Sequence, residues 1–327
     1  MNSVPAITQP NPADVASSRW ARFSRNRMAL LSLWFLAFLA LATFSWPVTL
    51  SIARLTGPKG IAFASAHHPE AVSDVQFSPP TPRHWFGTDV HGRDLLSRAL
   101  SGAQVSLLVG VTGALVSAII GVLWGAIAGY AGGRLDSVLM RLVDILYSLP
   151  SIIFVIVLIA TLEGVLKNWL SHIASPHLAK YSRLVFLVAG LGSVSWLTMA
   201  RIVRGEVLSL RTRPFMEASR VLGAGPVHII RRHIVPNTMG VVIVYLALTV
   251  PAIILYESFL SYLGLGIQPP MASWGSLVSE AAEQINPIRI YWWLVAFPAG
   301  CLVLTLLAIN SVAGGLRDAW DLRSARE

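Results

Sequence analysis

The sequence predicts an all-α integral membrane protein with six transmembrane helices. Hydrophobic residues make up 54% of the 327-residue chain and charged residues only 13%, well below the roughly 25% charge of an ordinary soluble domain. The apolar residues also lie in runs of about 20, the length that an α-helix needs to cross a bilayer. The predicted spans are residues 28–49, 104–129, 140–162, 184–203, 239–262 and 290–312.

The first span is interpreted as an uncleaved membrane anchor. Four arginines precede it within residues 19–27, and the apolar run is too long, with no small-residue cleavage site behind it, for a signal peptide. Residues 1–27 are therefore expected to form a cytoplasmic tail.

The distribution of basic residues predicts the orientation of the chain. An even number of spans places both termini on one side, and sixteen of the 25 Lys and Arg residues then lie in inner segments and nine in outer ones. Short inner loops are enriched in Lys and Arg, so this bias favours cytoplasmic termini. Residues 50–103 become an extracytoplasmic segment, and residues 313–327 become a cytoplasmic tail. The net charge of +9 is then a topology signal, and nucleic-acid binding is not expected.

The extracytoplasmic segment contains a polar motif, HWFGTDVHGRD, at residues 84–94. We expect a helix to begin near Asp89 with Thr88 or Asp89 as its N-cap. Convergent ligands would be needed for a metal site, and a glycine-rich turn with Arg93 among the candidates disfavours one. The candidates considered are His84, Asp89, His91 and Asp94.

The second, third and fifth spans carry backbone signals. Gly121, Gly125 and Gly129 recur every four residues, a spacing that lets two helix backbones approach closely in lipid. Tight packing within the chain and a face for a second subunit are both open. Pro150 and Pro251 each interrupt a backbone hydrogen-bond ladder and predict kinks.

Ionisable residues are placed only near the ends of the spans. Asp144, Glu163 and Glu257 are the carboxylates concerned, and we expect each to be interfacial or ion-paired. An ion-coupled carrier is disfavoured, because such a carrier needs a titrating group at membrane depth. A membrane-embedded enzyme is disfavoured because no histidine lies in any span and all three lysines lie outside.

No Gly-rich loop ending in Gly-Lys-Ser or Gly-Lys-Thr is present, so the chain is not expected to hydrolyse ATP. The best candidate for contact with a separate motor is residues 213–237. Its first helix is predicted at 213–222, with Pro214 at its start and Gly223 and Gly225 after its end. Residues available for burial are Phe215, Met216, Ala218 and Leu222.

A second helix is predicted from Pro226, before Pro236 and Asn237 lead into the fifth span. Two interpretations are open at this point. The segment is either a handle that transmits force from a docked partner or an amphipathic helix that rests on lipid headgroups.

The order Glu217, Ala218, Gly223 and Pro236 resembles the EAA loop of permease subunits of ABC importers. Further segments resemble the C-type permease of the dipeptide, oligopeptide and nickel class, in particular HWFGTDVHGRDLLSRALSGAQVSLLVG and ESFLSYLGLGIQPPMASWGSLVSEA. Together the similar segments cover most of residues 19–320. The resemblance implies a type I importer permease fold, with a five-helix core at 104–312 and an EAA loop at 213–237.

The resemblance also implies partners: a second, homologous permease, two ABC ATPases that bind ATP and Mg²⁺, an extracytoplasmic solute-binding protein, and the lipid of a bacterial inner membrane. The chain itself is then expected to hold no cofactor and no metal and to serve import of peptides or related solutes. An exporter would not be expected to carry the EAA loop.

The resemblance also implies site residues. The implied ATPase-coupling residues are Phe215, Glu217, Ala218, Ser219, Leu222, Gly223, Pro236 and Asn237. The implied outer contact residues are Phe86, Gly87, Thr88, Asp89, Gly92, Arg93 and Asp94. Glu280 and Glu283 are further candidates for that contact.

The sequence departs from the family pattern at a few places. Ser219 replaces the second alanine of EAA, which should leave docking intact. Gln104 stands where the family often has arginine, which puts in doubt a charge-based role there. The loop at 163–183 is longer than usual, and residues 51–80 show no family pattern.

Overall fold

The computed structural model describes residues 20–161, 182–286 and 288–320. Within these residues it is helical, with one isolated β-bridge between Thr88 and Asp94 and no β-strand. The tail before residue 20, Glu163 and most of the loop at 163–183 lie outside the described residues. The helices are α1 Arg27–Leu55, α2 Pro58–Ala66, α3 Leu95–Ala131, α4 Gly133–Tyr147, α5 Ser151–Thr161, α6 Ser182–Arg211, α7 Pro214–Val221, α8 Pro226–Tyr262, α9 Trp274–Ala282 and α10 Trp292–Trp320.

Among the described residues, five helices are long and apolar enough to cross a membrane, namely α1, α3, α6, α8 and α10. The predicted third span is a broken pair, because α4 and α5 meet at an angle of 88°. The break falls at residues 148–150, as Pro150 predicts, since proline cannot donate the hydrogen bond that would continue α4. Pro251 does not interrupt α8. If the pair is counted as one span, the described residues contain six.

Several helices extend past the predicted spans. α3 begins at Leu95, and Asp94 caps it by accepting from the Ser97 amide at 2.9 Å. The predicted start near Asp89, with Thr88 or Asp89 as N-cap, is therefore wrong. α6 continues to Arg211 and α10 to Trp320, past the predicted ends at 203 and 312. An apolar run in the sequence stops at the first charged residue. The backbone hydrogen bonds of the helix continue past it wherever the charged side chain reaches solvent or a partner.

The glycine face of α3 packs against α6. A methyl group added at Gly125 would lie 2.4 Å from the carbonyl oxygen of Ala200, and one at Gly121 would lie 2.6 Å from Cβ of Met199. Gly129 is similarly close to Val207. Of the two open interpretations of this face, the structure selects packing within the chain.

The bundle has two ends. We call residues 67–94 together with α9 the head, and α7 together with residues 226–234 the base. α3 connects them: the Trp274 indole of the head donates to the carbonyl of Ala99 near its start, and Arg220 of the base lies over the ring of Tyr130 near its end. α1 lies at the periphery with much of its apolar surface exposed, as for a helix that faces lipid.

Candidate functional site: an exposed base and a charged head

α7 has the boundaries that the sequence predicts. Pro214 occupies its first turn, where a missing N–H costs nothing. Its end is a Schellman motif, in which the Ala224 amide donates to Ser219 O and the Gly223 amide donates to Arg220 O, both at 3.0 Å. Gly223 has φ of 81°, a left-handed conformation that glycine adopts without steric cost. Gly225, with φ of −71°, has no such requirement.

α7 is anchored by one residue and exposes the others. Met216 is fully buried in a cluster with Met199, Val203 and Val207 of α6. Of the four residues predicted to be available for burial, only Met216 is buried, and Phe215, Ala218 and Leu222 are exposed. The side chains of Val221 and Leu222 are each 87% exposed and that of Val227 is 78% exposed. The base therefore presents an apolar patch beside Glu217, which is also exposed.

The connection from the base into the fifth span is a continuous helix. The sequence predicts a second short helix that ends before Pro236, but α8 extends from Pro226 to Tyr262. Residues Ile230–Ile234 form a π-helical turn, in which the Val235 amide donates to Ile230 O. The wider turn shifts the hydrogen-bond register just before Pro236, whose nitrogen has no proton to donate. The second part of the base and the fifth span are thus one continuous helix.

Ser219 does more than replace an alanine. Its hydroxyl oxygen lies 3.2 Å from Nε2 of His233, and it donates to Phe215 O at 2.9 Å. His233 O in turn accepts from the Asn237 side-chain amide at 2.6 Å. Ser219 therefore links α7 to α8, a contact that the sequence did not indicate. Coupling to an ATPase through these residues stays a prediction.

The head contains a buried ion-pair network. Arg98, whose side chain is 4% exposed, donates to Asp89 at 2.7 Å and to both carboxylate oxygens of Glu280 at 2.6 and 2.9 Å. Arg93 donates to Asp89 at 2.7 Å and to Glu280 at 3.1 Å. The network joins the 84–94 motif, α3 and α9. Glu280 is thus part of the internal network, whereas Glu283 is exposed.

Most of the predicted outer contact residues support the head from within. Gly87, Thr88, Asp89, Gly92 and Asp94 are buried. The Thr88 hydroxyl donates to Val75 O and accepts from the Ser78 amide, so it joins the 84–94 motif to the loop segment around residues 75–78. Phe86 stacks on Phe297 of α10 with 4.1 Å between ring centroids. A binding-protein contact stays a prediction, and the exposed Trp85 and His91 are the better placed for it.

The four candidate metal ligands do not converge. Asp89 is held by arginines, His91 is exposed, and only His84 and Asp94 meet, at 2.9 Å. A different trio, His67, His84 and Asp94, has its ligand atoms within 4.8 Å of one another. Both ring nitrogens of His67, however, lie near carbonyl oxygens, at 3.0 Å from Phe63 O and 2.9 Å from Arg83 O. His67 is therefore held by backbone carbonyls and His84 by Asp94, and these contacts stabilise the fold of the head.

Glu257 is fully buried near the head end of α8. The hydroxyls of Ser106 and Ser261 donate to its carboxylate at 3.1 and 2.7 Å, and the Trp274 amide donates to Ser106 Oγ at 3.3 Å. The expectation of an interfacial or ion-paired group is wrong for Glu257, since hydroxyls surround it and no ion pair to it is found among the described residues. For Asp144 the expectation is confirmed, with Arg201 as partner at 2.8 Å.

Within the described residues, a bundle with five apolar helices long enough to cross a bilayer, and a sixth span if the bent pair α4–α5 counts as one, defines a multi-pass membrane protein. Residues 121–325 match the family of binding-protein-dependent transport system inner membrane components, and the chain belongs to this family. Residues 17–54 match the N-terminal transmembrane domain of oligopeptide transport permease C. The chain is accordingly a multi-pass inner membrane permease subunit of an ABC importer and not an enzyme.

Three relatives illustrate the similarity. The dipeptide transport system permease protein DppC of Bacillus subtilis is 40% identical over 308 residues, which cover 94% of this chain and 85% of that protein. The oligopeptide transport system permease protein OppC of Escherichia coli K12 is 44% identical over 300 residues, covering 92% and 88%. OppC of Haemophilus influenzae is 40% identical over 306 residues, covering 92% and 86%. The predicted family is confirmed.

Two structural contacts had weak signals in the sequence. Arg98 lies one turn after Asp94 in a helix that continues into the membrane, and a buried guanidinium there requires carboxylates. Gln104, noted only as a departure from the family, donates to Thr43 O at 2.7 Å and ties α3 to α1.

Proposed function

We propose that this chain is one of two permease subunits of a peptide importer. The names of its relatives, which are dipeptide and oligopeptide permeases, support the cargo class. The observation that carries the mechanism is the apolar patch of the base, with Val221 and Leu222 each 87% exposed beside Glu217. Such a patch on a well-anchored helix is suited to insertion into a groove of a partner protein.

The partner proposed for the base is an ATPase subunit, one for this chain and one for the second permease. ATP and Mg²⁺ are then bound by these ATPases and not by this chain. Met216 anchors α7 to α6, and the continuous α8 carries the second contact helix directly into the membrane. Movement of a docked ATPase would therefore reorient α6 and α8 together, which is how nucleotide binding would drive the passage open.

The head is proposed to lie outside the cytoplasm and to receive a solute-binding protein, and both termini are proposed to be cytoplasmic. The excess of basic residues in the segments assigned to the inside supports this orientation. Trp85, which is 68% exposed, and His91 offer an aromatic and polar contact surface on the head.

The test is co-purification of the tagged chain with its ATPases in mild detergent, together with ATP-driven peptide uptake in vesicles. Leu222→Asp places a charge in the apolar patch, and Glu217→Arg reverses the neighbouring charge. Both variants should insert normally but recover less ATPase and lose uptake. Ile288→Asp is the matched control, because Ile288 is 88% exposed at the opposite end of the bundle. ATPase recovery and uptake at the wild-type level in both base variants would refute docking at the base.

A further inference from the structure

A cavity of about 470 Å³ opens where α4 and α5 break. It lies between the break, the middle of α6 and the middle of α8, at membrane depth. Hydroxyl groups project into it from all three sides, and polar groups at this depth mark transport pathways. The hydroxyl-bearing lining residues are Tyr147, Ser151, Ser195, Thr198, Tyr245, Thr249 and Tyr256.

Many of these hydroxyls have free hydrogen-bonding capacity. Ser195 donates to Leu191 O and Thr249 donates to Tyr245 O, so each keeps lone pairs that accept. The phenol groups of Tyr147, Tyr245 and Tyr256 make no hydrogen bond within the described part of the chain. A phenol can both donate and accept. The cavity therefore offers donors and acceptors side by side.

The lining is electrically neutral, since no Asp, Glu, Lys, Arg or His of the described residues is among the lining side chains. The remaining lining residues are apolar: Leu146, Leu149, Val194, Leu197, Leu248 and Ala252. A polypeptide backbone presents alternating N–H donors and C=O acceptors with no net charge. Neutral hydroxyls match that pattern, whatever charge the side chains of the peptide carry. A lining of this kind would accept the common part of many peptides without selecting among them.

The cavity has a different boundary at each side. Toward the head, Val155, Leu191 and Leu260 are buried and close the space between α5, α6 and α8. Toward the base, the guanidinium of Arg201 lies 4.1 Å from the ring centroid of Tyr147 and pairs with Asp144. The neutral part thus lies between an apolar constriction and a charged rim.

We infer that this cavity, which we call the hydroxyl cavity, is the surface of this chain that contacts the backbone of a peptide in transit. The inference rests on the proposed function, because it assigns the contact residues for the proposed cargo class. The second permease would complete the passage from the opposite side. The Arg201–Asp144 pair marks the rim through which the peptide leaves toward the base.

The first experiment measures selectivity in the reconstituted transporter, with all its subunits, in proteoliposomes. The cargoes are trialanine, alanyl-glutamyl-alanine and alanyl-lysyl-alanine. The wild type should transport all three at similar rates. Thr198→Asp should lower uptake of the acidic peptide relative to the basic one by about tenfold, the change that about 1.4 kcal/mol produces, and Thr198→Lys should do the reverse. Thr198 is exposed in the cavity wall, and the membrane abundance of both variants is measured to show that they insert.

The control is the pair Ser137→Asp and Ser137→Lys, because Ser137 is an exposed residue of α4 that does not line the cavity. These variants should leave the selectivity unchanged. If the wild type transports no peptide, the proposed function fails. If it transports peptides but the Thr198 variants affect all three cargoes equally, the inference alone is overturned.

The second experiment uses near-isosteric changes that preserve the fold. Ser195→Cys and Thr249→Cys are made in a Cys301→Ala background, because Cys301 is the only cysteine in the chain. A membrane-impermeant methanethiosulfonate should modify both new thiols during ATP turnover and block uptake, and saturating trialanine should slow the reaction at least about threefold, as expected at more than two-thirds occupancy. If both thiols stay unreactive during ATP turnover, the cavity is not open to the passage and the inference is overturned.

Discussion

At the scale of single residues, the head depends on charges that satisfy one another inside the protein. The guanidinium of Arg98 has almost no contact with solvent, and Asp89 and Glu280 supply its acceptors. A buried charge that loses its partner retains its desolvation cost without compensation. The three elements that the network joins should therefore separate when it is broken.

We predict that Arg98→Ala destabilises the protein by about 3–5 kcal/mol, the usual cost of removing one member of a buried pair. Asp89 and Glu280 would remain as neighbouring carboxylates with only Arg93 between them. Thermal unfolding of the purified chain in detergent, together with proteolysis of residues 67–94, measures the effect. The control is Arg83→Ala, because Arg83 is an exposed head residue. Equal melting temperatures for both variants would contradict the prediction.

Glu257 gives a second prediction at this scale. Glu257→Ala leaves the hydroxyls of Ser106 and Ser261 without their acceptor and opens a void, which should cost about 2–5 kcal/mol. Glu257→Gln keeps the volume and one acceptor oxygen, so it should lose much less. Melting temperatures of the two variants test the order. A glutamine variant as unstable as the alanine variant would mean that the carboxylate itself, and not an acceptor of that size, is required.

At the scale of elements, local signals predicted the boundaries that depend on local chemistry. Pro214 and Gly223 delimit α7 and Pro150 marks the broken span, because proline and glycine act through the backbone of their own turn. The N-cap of α3 and the continuity of α8 through Pro236 were not predicted. The first depends on which of several Asp and Thr residues faces the helix, and the second on a π-helical turn. Neither leaves a pattern in the sequence.

The left-handed turn at Gly223, which ends α7, yields a prediction at this scale. Gly223→Ala forces a side chain into a backbone with φ of 81°, at a cost of about 1–2 kcal/mol. It should reduce ATP-driven uptake more than membrane abundance. Gly225→Ala is the matched control, because φ there is −71° and alanine fits. Uptake and immunoblotted abundance are measured side by side, and equal uptake in the two variants would show that the left-handed turn is not needed.

At the scale of the whole molecule, composition and hydropathy predicted the bundle, while the functional surfaces came only from the fold. The EAA residues were recognisable as a motif, yet which of them are exposed depends on how Met216 anchors α7. The outer motif was expected to touch a partner, but much of it is interior. The hydroxyl cavity is formed by residues from three separate segments of the chain. None of them is charged, so inspection of the ionisable residues in the sequence did not find it.

The orientation of the molecule gives the last prediction. Single thiols are placed by Trp85→Cys on the head and Leu222→Cys on the base, in a Cys301→Ala background, and the chain is expressed without the ATPase subunits so that no docked partner covers the base. Both positions are highly exposed, so an impermeant maleimide should reach each from only one side of the membrane. In right-side-out vesicles Trp85→Cys should react and Leu222→Cys should not, and in inverted vesicles the pattern should reverse. Detergent should expose both thiols and serves as the control for reactivity. The opposite pattern would place the base outside the cytoplasm, where no ATPase can reach it, and would exclude the coupling mechanism whatever the cargo.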